Sequence, residues 1–271
     1  AMLVDDQGNR SPVKVVAFTT PDNTVPAFAQ GYPYMSYIGK EANAQLITAQ
    51  VAVMATKNCK MYYTVLPAGA AAPTVDELRS AAISSNLGYG VVDLEKNQVW
   101  DSDEAIIVSR RLEEQKDYVL YLWLTDGINS SAVTSLAFST PDVTPPDFVI
   151  HPRSNGDPLA TSVPMTAALS ENGTIYWVAV KSGDPYPLPN PQNDSDNEED
   201  GKTAKLTSEY AKLQVLNGMG AVSSGRATAT ANNQVNLNIT GLQAETSYDL
   251  YYMAVDAAGN YTIQVYKLQG G

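Results

Sequence analysis

The sequence has few of the residues that carry most enzyme and metal chemistry. It contains one cysteine, Cys59, and one histidine, His151, in 271 residues. A single cysteine excludes an intrachain disulfide, so the packing of apolar side chains must stabilise the fold. A single histidine with no Gly-x-Ser-x-Gly elbow argues against a histidine-based catalytic triad. We therefore expect no enzyme, with Cys59 in a turn and His151 at the surface.

Basic side chains and long apolar runs are also scarce. The chain has 17 Lys and Arg against 29 Asp and Glu, for a formal net charge of -12. Nucleic-acid affinity depends on basic side chains that neutralise phosphates, so no nucleic-acid partner is expected. The longest apolar stretches have about the length of a strand, well below the roughly 20 residues of a membrane helix. We expect no membrane insertion in this segment.

Turn-forming residues and short apolar runs are abundant. The 16 Pro and 18 Gly residues separate stretches rich in Val, Ile, Thr and Tyr. In one such stretch, Val235, Leu237 and Ile239 alternate with polar residues, so one face is apolar and the other is hydrated. Many short strands between turn signals predict an all-β fold of the sandwich type.

The sequence repeats. Residues 17–22 (Ala-Phe-Thr-Thr-Pro-Asp) recur as residues 137–142 (Ala-Phe-Ser-Thr-Pro-Asp). Within the repeats, residues 57–63 align with residues 171–177, and in both a polar turn leads into an aromatic strand. A repeat of this length predicts one structural unit per copy, and each unit is expected to start at its Thr-Pro-Asp segment.

The end of each unit carries a turn that occurs three times. Residues 256–260 (Asp-Ala-Ala-Gly-Asn) have a shorter version at 126–129 and a third copy at 5–9, which precedes an apolar run at 13–18. Gly and Asn tolerate the backbone angles of tight turns. The chain thus has three unit ends and two unit beginnings. The predicted domains are 1–20, a tail strand of a preceding repeat or an edge strand of the first unit; 21–140, the first sandwich; and 141–271, the second.

The late strands of both units share a tyrosine. Leu112 precedes Tyr118 by six residues, Leu242 precedes Tyr248 by six, and each tyrosine begins a strand that runs to the repeated turn. This pattern resembles fibronectin type III modules, in which the hydroxyl of a corner tyrosine bonds to backbone a few residues upstream. The Thr-Pro-Asp-x-Thr-Pro-Pro junction is similar to that of tandem modules in bacterial cell-surface proteins. The resemblance implies two tandem immunoglobulin-like or fibronectin type III-like β-sandwiches and no particular chemistry.

Each unit is also expected to contain a short helical insertion. Thr74 and Glu77 form a capping-box pattern, which predicts a helix start in the first unit. The counterpart starting near Thr207 has Tyr210 in place of the glutamate. A helical turn or two is predicted at both places.

An acidic insertion in the second unit is the candidate metal site. Asp194, Asp196, Glu198 and Asp200 alternate with other residues before a glycine, as at the start of a calcium loop. Counted from Asp196, the twelfth position is Thr207, where an EF-hand has glutamate. Two interpretations remain: a mobile acidic loop, or a Ca²⁺ site. No other cofactor is expected.

Three tyrosines in the first unit form the candidate ligand site. Tyr32, Tyr34 and Tyr37 lie within six residues and have no counterpart in the second unit. Exposed aromatic rings stack on sugars, whereas buried ones pack against neighbouring strands, and both interpretations stay open.

These observations predict a non-catalytic spacer or adhesion module of a bacterial secreted or cell-surface protein. The expected location is the extracellular space or the bacterial cell envelope. The expected partner is a cell-surface or extracellular polysaccharide or protein. The alternative is a carbohydrate-binding accessory module of an extracellular glycoside hydrolase.

Overall fold

The computed structural model describes residues 1–41, 45–80 and 87–268. The chain forms two compact units, Ala1–Pro141 and the part from Asp142 onward. The strands of the first unit are β1 (Tyr34–Gly39), β2 (Ile47–Met54), β3 (Cys59–Pro67), β4 (Tyr89–Leu94), β5 (Val99–Trp100), β6 (Ile106–Leu112), β7 (Asp117–Thr125) and β8 (Thr134–Ser139). Those of the second are β9 (Phe148–Ser154), β10 (Ser162–Leu169), β11 (Gly173–Lys181), β12 (Ser223–Ala229), β13 (Val235–Thr240), β14 (Tyr248–Asp256) and β15 (Tyr266–Leu268).

Both units have the same strand order. In the first, β2 lies between β1 and β6 and also pairs with the short β5, while the second sheet runs β4-β3-β7-β8. In the second, the sheets run β13-β10-β9 and β12-β11-β14-β15. All of these pairings are antiparallel. The two units share seven strands in the same order, and the short β5 is an addition to the first unit. This arrangement confirms the two tandem fibronectin type III-like sandwiches predicted from the sequence.

The apolar side chains of alternating positions fill each sandwich. In the second unit, Ile175, Leu237 and Ile239 are buried together in one cluster with Trp177. Burial of one such side chain stabilises the fold by about 1.5–3 kcal/mol. The apolar residues that alternate at 235–239 therefore form the face of β13 that packs in the core, as the sequence predicts.

Both units carry the expected tyrosine corner. The hydroxyl of Tyr118 accepts a hydrogen bond from the backbone N–H of Glu113 at 3.1 Å. The hydroxyl of Tyr248 accepts one from the N–H of Gln243 at 3.0 Å. Each bond ties the start of a late strand to the segment that crosses between the sheets, and the prediction for Tyr118 and Tyr248 is confirmed.

The helix of the first unit, α1 (Val75–Ser80), lies in the connection between β3 and β4. Its capping box forms as predicted: Thr74 N–H donates to Glu77 Oε2 at 2.7 Å, and Glu77 N–H donates to Thr74 Oγ1 at 3.3 Å. Leu78 is buried beneath the helix, and the guanidinium of Arg79 lies 5.2 Å from the ring centroid of Trp123. The insertion thus covers the outer face of the four-stranded sheet.

The helix of the second unit, α2 (Glu209–Asn217), occupies the equivalent connection, between β11 and β12. Its N-cap is Ser208, whose Oγ accepts from Ala211 N–H at 3.1 Å, so the helix starts near Thr207 as predicted. Ala211 and Val215 pack on Tyr251 and its neighbours, which lets this helix run longer than the predicted turn or two. Neither helix in the described residues has the length and apolar character needed to cross a membrane.

Residues 1–14 form a small hairpin of their own. Lys14 N–H donates to the carbonyl of Ala1, and Val4 bridges Arg10 around the turn at 5–9. In the described part of the chain, residues 13–18 join no sheet, and the Phe18 side chain is 86% exposed. The segment is therefore not an edge strand of the first unit. Its other interpretation, the tail of a preceding repeat, stays a prediction.

Candidate functional site

A bulge in β1 brings two of the three predicted tyrosines, Tyr34 and Tyr37, to one face of the sheet. Tyr34 pairs with Ala52 and Tyr37 pairs with Gln50, with a register shift between them. Paired residues on antiparallel strands point to the same side, and Ala52 and Gln50 are two residues apart on β2. Without the bulge, two residues three positions apart would point to opposite faces. Tyr34 and Tyr37 therefore share one face.

That face is open to solvent. The side chains of Tyr34 and Tyr37 are 42% and 38% exposed, and the ring of Tyr32 lies 5.6 Å from that of Tyr34 at a tilt of 36°. Loss of hydration and the carboxylate of Asp101 raise the pKa of Tyr32. We call Tyr32, Tyr34 and Tyr37 the tyrosine surface. The structure brings these residues together, and sugar binding there remains a prediction.

The acidic insertion is packed at its base, which differs from the expected mobile loop. Tyr186 and Asn190 are buried, and the Asn190 amide donates to Asp196 Oδ2 at 2.8 Å. Asn190 N–H also donates to Asn197 Oδ1 at 2.6 Å. Buried polar groups that find such partners hold a segment in place, and here they order a stretch whose composition suggested disorder.

An open depression of about 850 Å³ is lined by carboxylates of this insertion, those of Asp194, Glu198, Glu199 and Asp200, but not by that of Asp196. Lys205 also lines it, and its Nζ donates to the carbonyl of Ser195 at 2.9 Å. A metal site needs at least three ligand side chains close together. Among the described residues, one group of three acidic side chains has its ligand atoms within 4.8 Å of one another, and that group lies elsewhere in this unit. The Ca²⁺ site at Asp194, Asp196, Glu198 and Asp200 stays a prediction.

The histidine and the cysteine both have structural contacts. His151 lies on β9, where its ring stacks on Phe148 at 5.3 Å and its Nδ1 is 3.0 Å from the hydroxyl of Tyr252. The Cys59 side chain is buried, and burial, with the Asp126 carboxylate, raises the pKa of its thiol to about 11. A thiol with a raised pKa holds little thiolate at neutral pH, which makes it a poor nucleophile.

A cation in the first unit bridges two carboxylates that the sequence analysis did not single out. Lys57 Nζ contacts both Asp22 and Asp126 and donates to the carbonyl of Thr24 at 2.9 Å. Hydrogen bonds from Lys57 lower the pKa of both aspartates, and the two carboxylates raise the pKa of Lys57. We call this arrangement the lysine clasp. It joins the segment that enters the unit to the turn after β7.

The second unit has three carboxylates at the equivalent place. Ligand atoms of Asp142, Glu171 and Asp256 all lie within 4.8 Å of one another. They come from the segment that enters the unit, the turn between β10 and β11, and the end of β14. The signal in the sequence was the repeat itself, which aligns Lys57 with Glu171 while keeping both aspartates. We call this group the carboxylate triad.

The chain matches no protein-family model and no curated protein sequence. Among solved structures it is similar to a two-domain fibronectin type III segment from chicken tenascin, at 9% identity and a TM-score of 0.29, over 87% of this chain and 99% of that one. The likeness is too distant to carry an argument about function. The strand order within each unit is what identifies the fold as tandem fibronectin type III-like sandwiches.

Proposed function

We propose that this chain is a non-catalytic spacer or adhesion segment of a bacterial secreted or cell-surface protein. The observation that carries the proposal is that hydrogen bonds fix the two points at which the chain enters and leaves the first unit. At the entrance, the carbonyl of Asp22 accepts from Asn129 Nδ2 at 2.9 Å, just after the end of β7. At the exit, Thr140 Oγ1 donates to the carbonyl of Glu113 at 2.7 Å, just before the start of β7.

The entrance and exit are therefore fixed at opposite ends of one strand. β7 has nine residues, which at 3.2–3.4 Å per residue span about 30 Å. A unit held in this way adds length to the chain that passes through it, which is the property a spacer needs. The contacts of His151 and the raised pKa of Cys59 support the non-catalytic part of the proposal.

Pulling the full chain by its ends tests the spacer role. Two separate unfolding events are expected in single-molecule force measurements, one for each sandwich. The Thr140→Val variant removes the hydroxyl at the exit and should lower the unfolding force of one event only. A chain that extends smoothly without force peaks would contradict the proposal.

A second candidate function rests on the tyrosine surface. The bulge in β1 places Tyr34 and Tyr37 on one solvent-facing side, with Tyr32 next to Tyr34. Aromatic rings that share an exposed face can stack on sugar rings, so the alternative is a carbohydrate-binding module of an extracellular glycoside hydrolase.

Retention on insoluble polysaccharides and a glycan array separates the two functions. If the alternative holds, the full chain is retained and replacement of all three tyrosines by serine abolishes retention. The matched control replaces Tyr89, an exposed tyrosine on the other sheet of the same unit, and should keep full retention. If the unaltered chain binds no glycan, the carbohydrate-binding alternative is rejected and the spacer function is the one that remains.

A further inference from the structure

The hairpin at residues 1–14 has the same hydrogen bonds as the last hairpin of each sandwich. In its turn, Asn9 N–H donates to Asp5 Oδ1 at 2.8 Å, and Asn9 Nδ2 donates to Asp5 Oδ2 at 2.7 Å. The turn after β14 has both bonds, also at 2.8 and 2.7 Å, between Asn260 and Asp256. The first turn of the chain therefore has the form of a turn that closes a sandwich.

The strands beside these turns correspond as well. Leu3 N–H donates to Ser11 Oγ at 2.9 Å, and Ser11 N–H donates to the carbonyl of Leu3 at 2.8 Å. In the first sandwich, Leu124 and Ser131 exchange the same two bonds, at 3.1 and 2.9 Å. Leu3 therefore holds the position of Leu124 on β7, and Ser11 holds that of Ser131.

The register of this pairing continues to the first residue. The amine of Ala1 donates to the carbonyl of Lys14 at 2.6 Å, and Lys14 N–H donates to the carbonyl of Ala1 at 2.8 Å. In the first sandwich, the residue two positions before Leu124 is Leu122, which pairs with Thr134 of β8. Ala1 is therefore the equivalent of Leu122, and the hairpin reproduces the end of β7, the turn and the start of β8.

This correspondence predicts a place in a core for side chains that are exposed in this structure. The Leu3 side chain is 78% exposed, whereas Leu124 is fully buried. Phe18 is 86% exposed, whereas its equivalent in the repeat, Phe138, is 8% exposed and lies 5.8 Å from the ring of Tyr118. Large apolar side chains that are exposed together mark a contact surface.

The first sandwich shows what covers the equivalent surface. β7 lies between β8 and β3, and Leu124 pairs with Met61 of β3, which is also fully buried. The neighbour that this surface fits is therefore a strand equivalent to β3, with apolar side chains on its core face. A complete sandwich of a second copy does not offer that neighbour, because β7 or β14 already occupies the place.

The position of Phe18 shows where the rest of the contact comes from. Phe138 pairs with Tyr118, which lies four residues before Leu122 on the same strand. Since Ala1 is the equivalent of Leu122, the residue that pairs with Phe18 belongs to a segment that leads into Ala1. The hairpin thus matches one part of a strand, and its partner supplies the other part.

We propose that residues 1–18 are the last hairpin of a third fibronectin type III-like sandwich and bind the other strands of that unit, which precedes this chain. Leu3, Val16 and Phe18 enter its core, and Val15 faces solvent. The partner is an incomplete sandwich with an open strand edge, which the hairpin closes by strand addition. This assignment goes beyond a single tail strand and does not depend on the proposed function.

An extended chain tests the proposal. Residues 21–121 are placed directly before the full chain, so that Tyr121 is followed by Ala1 in the register of β7. Single-molecule force measurements on the extended chain should show three unfolding events, one more than on the full chain. The backbone amides of residues 15–18 should exchange at least about tenfold more slowly in the extended chain than in the full chain.

A second version of the extended chain guards against a weakened core. Ala1 stands where the first sandwich has Leu122, and a smaller side chain in a core lowers stability. The second version therefore carries Ala1→Leu, which restores that side chain. Three events in either version support the proposal. No additional event in both versions, with residues 15–18 still unprotected from exchange, would overturn it.

Matched substitutions test the register within the extended chain. Phe18→Asp should remove the third event, because it places a carboxylate in the core. Val15→Asp should keep the third event, because the equivalent residue, Ser135, is exposed on β8. In the full chain both substitutions should leave the unfolding events unchanged, since Val15 and Phe18 are exposed there. Equal effects of the two substitutions in the extended chain would refute the place of Phe18 in the core.

Discussion

The hydroxyl of Tyr118 accepts the backbone N–H of Glu113 in a part-buried hydrogen bond, whereas the equivalent bond from Gln243 to Tyr248 is open to solvent. The two tyrosine corners thus have the same geometry in different surroundings. A backbone N–H that loses its acceptor can be hydrated at the second corner but not readily at the first. The two sites should therefore respond differently to the same substitution.

Tyr118→Phe is expected to lower the free energy of unfolding by about 1–3 kcal/mol, because it leaves a part-buried N–H without an acceptor. Tyr248→Phe should cost less, about 0.5–1.5 kcal/mol. Urea unfolding of the full chain measures both. Tyr89→Phe, at a side chain that is 58% exposed, is the control and should change stability by less than about 0.5 kcal/mol. Equal effects of Tyr118→Phe and the control would contradict the role of the corner.

The lysine clasp predicts a pH dependence of the first unit. Lys57 lowers the pKa of Asp126, so this group contributes stability above its unfolded pKa of about 4 and loses it as the pH falls through the folded value. The pKa of Lys57 is raised, so its contribution is present below about pH 10 and is lost as the pH rises through the folded value. The stabilising effect of the pair should be constant between about pH 5 and pH 9.

Lys57→Met tests this clasp directly. NMR titration of the Asp126 carboxyl in the full chain should show a higher pKa in the variant. The value should stay below the usual range, because the N–H groups of Ile128 and Asn129 still donate to this carboxylate. An unchanged Asp126 pKa would show that the ion pair does not form in solution.

Gln214 joins α2 to the acidic insertion. Its side chain is fully buried, with Oε1 accepting from Leu188 N–H at 2.8 Å and Nε2 donating to the Leu188 carbonyl at 2.8 Å. Gln214→Ala leaves both backbone groups without their partner and should lower the free energy of unfolding by about 2–4 kcal/mol. Gln243→Ala, at an exposed side chain, is the matched control for urea unfolding. If the two variants unfold at the same urea concentration, the hydrogen bonds between Gln214 and Leu188 contribute nothing to stability.

The patterns that predicted the fold are local, because each connects residues that are close to one another in the sequence. The alternation at 235–239, the spacing of Leu112 to Tyr118 and the pair Thr74 and Glu77 each involve neighbours in sequence, and each appears in the structure. The start of α2 was predicted near Thr207, and the cap is the next residue, Ser208, which also carries a side-chain hydroxyl.

The carboxylate triad could not be recognised by spacing, because its members lie in three separate segments that meet only in the folded unit. The alignment of the repeats shows Lys57 in the first unit and Glu171 at the matching position in the second. The sequence does not show that Asp142 and Asp256 lie close to Glu171 in the folded unit. The bulge that aligns Tyr34 with Tyr37 is likewise set by pairing with β2. Pairing of distant segments is the information that one sequence does not display.

Cys59 is expected to be unreactive while the chain is folded. Its side chain is 7% exposed, and burial raises the pKa of the thiol to about 11. The thiolate is the reactive form, and a pKa about 3 units above pH 8 leaves roughly one thiol in a thousand ionised. At pH 8 the folded chain should react with a thiol-specific disulfide reagent far more slowly than the same chain in guanidinium chloride, which should release one equivalent at once. Fast reaction of the folded chain would show that the β3 strand end opens readily, and the inert role of this cysteine would then be wrong.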